Sequence, residues 1–161
     1  MTSDFFEYNK QKVIHALRYH FISRKEIKIM MILLNVFSLL SAALFFFKKI
    51  SPLAFLLSSS LWFFMMILFW FFLPRIIYKK SASFKDRFKI TLNELDFTLA
   101  HSRATKTYAW SELSNWMESP HFFHLYFNAT SFFLIPKEAF ENGIMDNVRE
   151  QFRKKIKKQS L

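Results

Sequence analysis

Two long apolar stretches decide the fold of this chain: IMMILLNVFSLLSAALFFF at residues 29–47 and LAFLLSSSLWFFMMILFWFFL at residues 53–73. Neither stretch contains a charged side chain. A helix of roughly 20 apolar residues can cross the hydrocarbon core of a bilayer. Both stretches therefore predict transmembrane helices. The first begins too far into the chain, and is too long, to be the apolar region of a signal peptide.

A five-residue connection, Lys48-Lys49-Ile50-Ser51-Pro52, separates the two stretches. Such a short loop allows only an antiparallel hairpin, so both chain ends are expected on the same side of the membrane. Loops that remain in the cytoplasm are enriched in Lys and Arg. The segments outside the hairpin are richer in these residues than the loop, which predicts an inner- or plasma-membrane protein with both termini in the cytoplasm. The flanking cations are Arg18, Arg24, Lys25 and Lys28 before the first stretch and Arg75, Lys79, Lys80, Lys85 and Arg87 after the second.

Small and polar residues inside the two stretches predict where helices pack. Small residues four positions apart let helices approach closely. One interpretation is that these residues pack the two helices on each other, with Asn35 hydrogen-bonded across the pair. The other is a polar path or an interface with a partner helix. No ionisable residue lies in either stretch, which argues against a proton relay. The candidate helix-packing residues are Asn35, Ser38, Ala42, Ala54 and Ser58.

Composition excludes several classes of function. Gly143 is the only glycine, which argues against phosphate-binding glycine loops and dinucleotide-binding folds. The absence of cysteine excludes disulfides, thiolate metal sites and cysteine nucleophiles. The net charge of +11 is compatible with nucleic acid, an anionic membrane surface or the flanks of membrane spans. Because the cations follow the membrane flanks and one short helix, without a recognition motif, we expect no nucleic-acid partner.

Residues 1–26 precede the hairpin, which we place at residues 27–75. Val13, Leu17 and Phe21 recur at helical spacing, so residues 9–25 are predicted to form an amphipathic helix.

Residues 82–161 change to an alternating pattern that predicts antiparallel strands. Strands are expected at 87–92, 95–100 and 105–110, followed by a hairpin formed by 121–127 and 131–135. Ser111 resembles the N-cap of a short turn. Residues 137–158 predict a helix with an apolar stripe at Ile144, Val148, Phe152 and Ile156. The predicted fold class is therefore an α+β membrane protein: a two-helix transmembrane hairpin plus a small antiparallel β domain closed by a C-terminal helix.

Three motifs in this C-terminal region resemble the YcxB-like family: YAWSEL at 108–113, HFFHLYF at 121–127 and LIPKEAF at 134–140. The resemblance extends over almost the whole chain, including the apolar stretches. It implies a bacterial membrane protein with two N-terminal transmembrane helices and a pleckstrin-homology-like C-terminal domain. It implies no established enzymatic activity and assigns no functional residue.

The histidines and serines of this chain do not form a recognisable metal-binding or catalytic motif. His121 and His124 are three residues apart, and on a strand that spacing points their side chains to opposite faces. No serine lies in a nucleophile motif. The sequence therefore predicts a protein that is not an enzyme and that has no metal and no cofactor.

The remaining hypotheses concern binding. The first is a non-enzymatic module that holds its C-terminal domain at the inner leaflet, where it binds a protein partner or anionic lipid headgroups. Trp116, Phe122 and Tyr126 are the candidate partner contacts. The alternatives are a toxin or bacteriocin immunity protein and an accessory subunit of a membrane transport or envelope complex. The candidate lipid-facing cations are Arg149, Arg153, Lys154, Lys155, Lys157 and Lys158.

Overall fold

A computed structural model describes residues 1–101, 104–141 and 143–157. The chain divides into two compact units. One unit contains Met1–Ala16 together with the chain from Lys80 onward, and the other contains Leu17–Lys79. The described residues form an α+β protein, which confirms the predicted class in its general form.

Long helices dominate the Leu17–Lys79 unit. Helix α1 covers Lys10–Ser23 and extends into this unit from the other one. Ser51 ends the connection between the two apolar helices and caps the second of them, because its side chain accepts a hydrogen bond from the Ala54 backbone N–H at 3.2 Å. The apolar helices are α2 (Lys25–Phe46) and α3 (Pro52–Ile67), and α3 continues through a π-helical turn (Leu68–Phe72) into α4 (Leu73–Lys80).

Two antiparallel three-stranded sheets form the framework of the other unit, in the orders β1-β2-β3 and β4-β5-β6. In the first sheet Ile90 lies opposite Leu99, and in the second Phe123 lies opposite Ile135. The strands are β1 (Phe88–Leu92), β2 (Asp96–His101), β3 (Ala104–Ala109), β4 (Asn115–Glu118), β5 (Phe122–Tyr126) and β6 (Phe132–Pro136).

The core of this unit lies between the two sheets and the C-terminal helix α5 (Met145–Lys155). Buried and less buried side chains alternate along β1 and β2, because successive side chains of a strand point to opposite faces. One face of the first sheet therefore packs into the core. Phe152 of α5 contacts Trp110, Trp116 and Phe123 at ring-centroid distances of 6.1, 5.5 and 5.2 Å. Aromatic packing of this kind fixes the helix on the open side of the sheets.

The first six residues extend the first sheet. Ser3 donates its backbone N–H to the Ile90 carbonyl at 2.8 Å, and Phe6 exchanges backbone hydrogen bonds with Phe88 at 2.8 and 3.0 Å. This segment therefore covers the outer edge of β1, where unpaired backbone groups would otherwise remain.

Three sequence predictions differ from the structure in their details. Strand β4 is absent from the prediction, which placed a turn after Ser111; pairing with β5 stabilises this strand despite its lack of alternation. Trp110 lies in a 3₁₀ turn and not in β3. Helix α5 begins at Met145 and not at residue 137, because Lys137–Ala139 form a separate 3₁₀ turn and Gly143 adopts a φ of 107°.

Candidate functional site

The two apolar helices are joined by polar contacts. Trp62 donates its indole N–H to the Asn35 side-chain carbonyl oxygen at 3.2 Å. The amide nitrogen of Asn35 donates to the Met31 carbonyl at 2.7 Å, so both ends of this side chain are satisfied. The hydroxyls of Ser41 and Ser58 lie 2.5 Å apart. These contacts link α2 to α3 through groups that an apolar environment would otherwise leave unpaired.

Close approach occurs at Ser41 and Ser58, which differs from the predicted small-residue spacing. Ser41 is the one buried residue of α2, whereas Ala42 and Ala54 are exposed and Ser38 is half-buried. The side chain of Ser58 thus lies in the pair, and the outward-facing Ala42 and Ala54 contribute little to it.

Most of the apolar surface of these helices is uncovered. In the most apolar 18-residue window of each helix, 6% of residues are buried for Lys25–Phe46 and 0% for Pro52–Lys80. Their mean hydropathies are 2.4 and 2.1. Both helices are long and apolar enough to span a membrane. The core helix of a water-soluble protein would have most of such a surface buried.

An arginine compensates for a proline near the end of the second apolar helix. In an α-helix the Trp70 carbonyl would accept the backbone N–H of Pro74, which proline lacks. The Arg18 Nε donates a hydrogen bond to that carbonyl at 3.0 Å. The π-helical turn Leu68–Phe72 lies immediately before the proline, and such turns accommodate interruptions of the helical hydrogen-bond ladder. Arg18 therefore connects α1 to this turn.

Guanidinium groups also lie over the aromatic rings of the same turn. The Arg18 Cζ is 5.1 Å from the Trp70 ring centroid and 5.7 Å from that of Phe71. Arg75 lies 5.6 Å from the Phe71 centroid. All three distances are within the range of a cation–π interaction. We call Arg18, Trp70, Phe71 and Arg75 the arginine–aromatic cluster. Sequence analysis missed it, although the position of Pro74 four residues after Trp70 was a usable signal.

An apolar crevice lies beside this cluster, where α1, the start of α2 and the π-helical turn meet. Arg18 is the only charged side chain among its lining residues in the described part of the chain. The apolar lining includes Ile22, Ile27, Met31, Met66 and Phe69.

Helix α5 is fixed to the second sheet by an ion-pair cluster. The Glu118 carboxylate accepts hydrogen bonds from Arg149 Nε and Nη2, both at 3.0 Å, and pairs with Lys137 Nζ at 2.6 Å. Arg149 also binds Asp146 at 2.8 Å. Desolvation of Glu118 opposes ionisation, but the hydrogen bonds from Arg149 and Lys137 outweigh it and lower the pKa of the Glu118 carboxyl.

The candidate lipid-facing cations consequently fall into two groups. Arg149 and Lys154 are neutralised by ion pairs, the latter with Glu150 at 2.7 Å. Arg153, Lys155 and Lys157 are exposed, and no carboxylate in the part of the chain that the structure describes lies within ion-pair distance of them, although Arg153 is near enough to Glu150 to help lower the pKa of that carboxyl. Lys158 lies outside the described residues. Among these candidate cations, the described ones without a close ion pair therefore lie at the C-terminal end of α5.

The three candidate partner contacts are buried. Trp116, Phe122 and Tyr126 expose 0%, 2% and 3% of their surfaces. Every residue of strand β5 is buried, so neither face of the strand is open to a partner. As buried side chains, these three residues cannot contact a partner unless the fold first opens. The exposed strand of this unit is instead β3, the edge of the first sheet, whose residues are nearly all exposed.

The histidines of the second sheet do not converge. His124 is buried and its Nε2 lies 3.0 Å from the Ser119 hydroxyl, whereas His121 is exposed. Within residues 1–101, 104–141 and 143–157, no group of three or more His, Asp or Glu side chains is arranged to hold a metal ion.

Comparison with known proteins gives one match. No curated protein and no solved structure matches this chain. The model of the YcxB-like protein family matches residues 98–153, which contain all three motifs identified in the sequence. This range is narrower than the predicted resemblance, because it leaves both apolar helices outside it. The segment from β2 into α5 thus matches the YcxB-like protein family, which confirms the resemblance that its motifs predict.

Proposed function

We propose that this chain is a membrane-anchored, non-enzymatic interaction module. Its apolar helix pair spans the inner membrane, and its two-sheet unit works at the cytoplasmic surface on a protein partner or on lipid headgroups. The observation that carries the proposal is the uncovered apolar surface of α2 and α3. Contact with lipid acyl chains removes that surface from water, and the polar groups of Asn35, Ser41, Ser58 and Trp62 bond to one another or to the backbone.

We assign the two-sheet unit to the pleckstrin-homology-like class. Two antiparallel sheets closed by a C-terminal helix, with the core between them, support this assignment. Fold alone does not fix the ligand. The chemistry must therefore come from the surfaces that the unit exposes, which are the cationic end of α5 and the edge strand β3.

The lipid arm of the proposal rests on Arg153, Lys155 and Lys157. Three exposed cations that form no close ion pair are attracted to an anionic leaflet, by about 1 kcal/mol for each charge near the surface. The test places the full chain in nanodiscs that contain a headgroup-nitroxide lipid, with a fluorophore on Asn147→Cys, an exposed and uncharged position of α5 that leaves all three cations in place. We expect stronger quenching when phosphatidylglycerol is included than in phosphatidylcholine alone.

A matched pair of variants makes that test specific. Arg153→Gln with Lys157→Gln removes two α5 charges, and the dependence of quenching on phosphatidylglycerol should disappear. Lys10→Gln with Lys85→Gln removes two exposed charges from the same unit and should preserve it. Equal quenching in both lipid compositions for the starting protein would contradict the lipid arm.

The protein-partner arm rests on β3. Because β3 is the edge of its sheet and its residues are nearly all exposed, it offers free backbone groups for an added strand. The full chain, purified from its native membrane in mild detergent, should then retain one protein at a stoichiometric level. Thr105→Lys should release it, since a lysine on an edge strand discourages pairing. Ser83→Lys, an exposed substitution outside β3, is the control and should retain the protein. Retention by Thr105→Lys together with loss from Ser83→Lys would contradict binding at β3.

A further inference from the structure

We propose that the crevice beside the arginine–aromatic cluster binds one phospholipid. Its phosphate pairs with Arg18, and one acyl chain lies along the apolar surface that α1, the start of α2 and the π-helical turn form around this shallow crevice. The proposal rests on the membrane insertion proposed above and adds a specific lipid site to it. This site belongs to the helical unit and is separate from the cations of α5.

The chemistry of Arg18 points to an anionic ligand. Its Nε donates to the Trp70 carbonyl, which leaves the four N–H groups of its two Nη atoms. The described residues supply no carboxylate to Arg18 or to Arg75, the other guanidinium over the Phe71 ring. The contact with Trp70 and the stacking on two rings hold the Arg18 guanidinium in one orientation. A fixed guanidinium fork with free donors matches the oxygens of a phosphodiester.

The lining of the crevice points to the source of that phosphate. Except for Arg18, the side chains that line it are apolar, including Ile27, Met31 and Met66. A free phosphate ion would pair with the arginine and leave this surface uncovered. An acyl chain covers it, and a phospholipid carries both groups on one molecule.

The position of the crevice along the helices is also that of lipid headgroups. It lies where the second apolar stretch ends, and Arg75, Lys79 and Lys80 follow within the next turns. Trp70 is exposed at this level, as is common for aromatic residues at a membrane interface. A guanidinium here lies at phosphate depth, and the apolar lining residues extend toward the hydrocarbon.

The test is native mass spectrometry of the full chain released from detergent after addition of palmitoyl-oleoyl-phosphatidylglycerol. We expect one tightly retained lipid for each chain. Arg18→Gln should reduce the retained fraction about tenfold, as expected for loss of a charge-assisted hydrogen-bond pair. Lys49→Gln, which removes an exposed charge from the loop at the other end of the pair, should leave it unchanged. Equal losses in these two variants would overturn the site.

Two further arms separate the phosphate from the acyl chain. Met31→Phe fills the crevice without changing charge and should also reduce lipid retention. Inorganic phosphate at 100-fold excess over the lipid, a ratio on the order used to saturate a site, should not displace it. Displacement by phosphate, or full retention by Met31→Phe, would overturn the assignment to a phospholipid.

Membrane insertion is measured separately, by resistance of the membrane-bound chain to extraction with alkaline carbonate. Extraction of the unsubstituted chain would refute the proposed function. A resistant chain that retains no lipid in the mass spectrometer would refute only the lipid site.

Discussion

The Nε of Arg18 donates a hydrogen bond to the backbone carbonyl of Trp70, which is the carbonyl that Pro74 leaves without its helical donor. A side chain of α1 thus donates to a carbonyl near the end of the second apolar helix, in place of the N–H that Pro74 lacks. The same guanidinium lies over the Trp70 ring, so one residue satisfies the backbone and packs on the side chain. This contact holds α1 against the end of the second apolar helix.

Removing Arg18 should therefore cost more stability when Pro74 is present than when it is absent. Arg18→Ala is expected to destabilise the unsubstituted chain by about 1–3 kcal/mol, since it removes the side-chain hydrogen bond to the Trp70 carbonyl, for which residue 74 supplies no N–H. In the Pro74→Ala background residue 74 regains its N–H, and the cost of Arg18→Ala should fall. A double-mutant cycle on thermal unfolding in detergent measures the coupling. Additive effects would show that the arginine does not serve this carbonyl.

Ser41 and Ser58 should form a disulfide when both are changed to cysteine. Their hydroxyl oxygens are 2.5 Å apart, and the natural chain has no cysteine to interfere. The double variant should oxidise to an intramolecular crosslink, detected as faster migration on a non-reducing gel. Leu39→Cys with Leu56→Cys is the control, because both side chains are exposed. Crosslinking of the control pair to the same extent would contradict the observed packing of the helices.

Glu118→Gln should destabilise the two-sheet unit at neutral pH. The substitution removes the carboxylate that Arg149 and Lys137 share, and the expected loss is about 1–3 kcal/mol. Glu150→Gln disrupts only an exposed pair on the surface of α5, which solvent screens, and should change stability much less. Thermal unfolding of both variants compares the two effects. Equal losses would mean that the Glu118 cluster is no more stabilising than a surface pair.

Acid should weaken the helical unit through His20. This side chain is buried, and desolvation together with the nearby Arg24 lowers its pKa from 6.5 to about 4. Above pH 6.5 the imidazole is neutral in both the folded and the unfolded chain. Between pH 6.5 and about 4 only the unfolded chain takes up the proton, so stability falls by as much as about 3 kcal/mol over this window.

The His20 prediction is measured by melting temperatures at pH 7.5, 6 and 5. His20→Phe, which cannot be protonated, should lose less stability than the unsubstituted chain between pH 7.5 and 5. The Glu118 carboxylate stays ionised over this range because its pKa is lowered, so it does not contribute to the difference. Parallel pH dependence in the two proteins would contradict burial of a neutral His20.

Local sequence patterns, namely apolar stretches and the alternation of apolar and polar residues, predicted much of this fold. The apolar stretches became α2 and α3, and alternation predicted strands that correspond to β1 and β2 within one or two residues. Strand β4 was missed because its residues do not alternate between apolar and polar. This strand is stabilised by pairing with β5, and a local sequence pattern does not show which segments pair. The pairing of residues 1–6 with β1 was missed for the same reason.

The candidate site was predicted less well than the fold. Large aromatic residues such as Trp116 are equally consistent with a core and with a contact surface, and only burial decides between them. The charges of α5 were found, but which of them are neutralised depends on Glu118, which lies in another element. Arg18 was read as a flanking cation, because its contact with Trp70 spans 52 residues of sequence.

Crossing of the membrane by the helix pair is the central claim, and cysteine labelling tests it most directly. Lys49→Cys places a single thiol in the loop between α2 and α3, and Glu94→Cys places one at an exposed position of the two-sheet unit. A membrane-impermeant maleimide applied to intact spheroplasts should label Lys49→Cys at once and Glu94→Cys only after lysis. Labelling of Glu94→Cys in intact spheroplasts, or of neither thiol until lysis, would contradict a hairpin that spans the membrane with both chain ends in the cytoplasm.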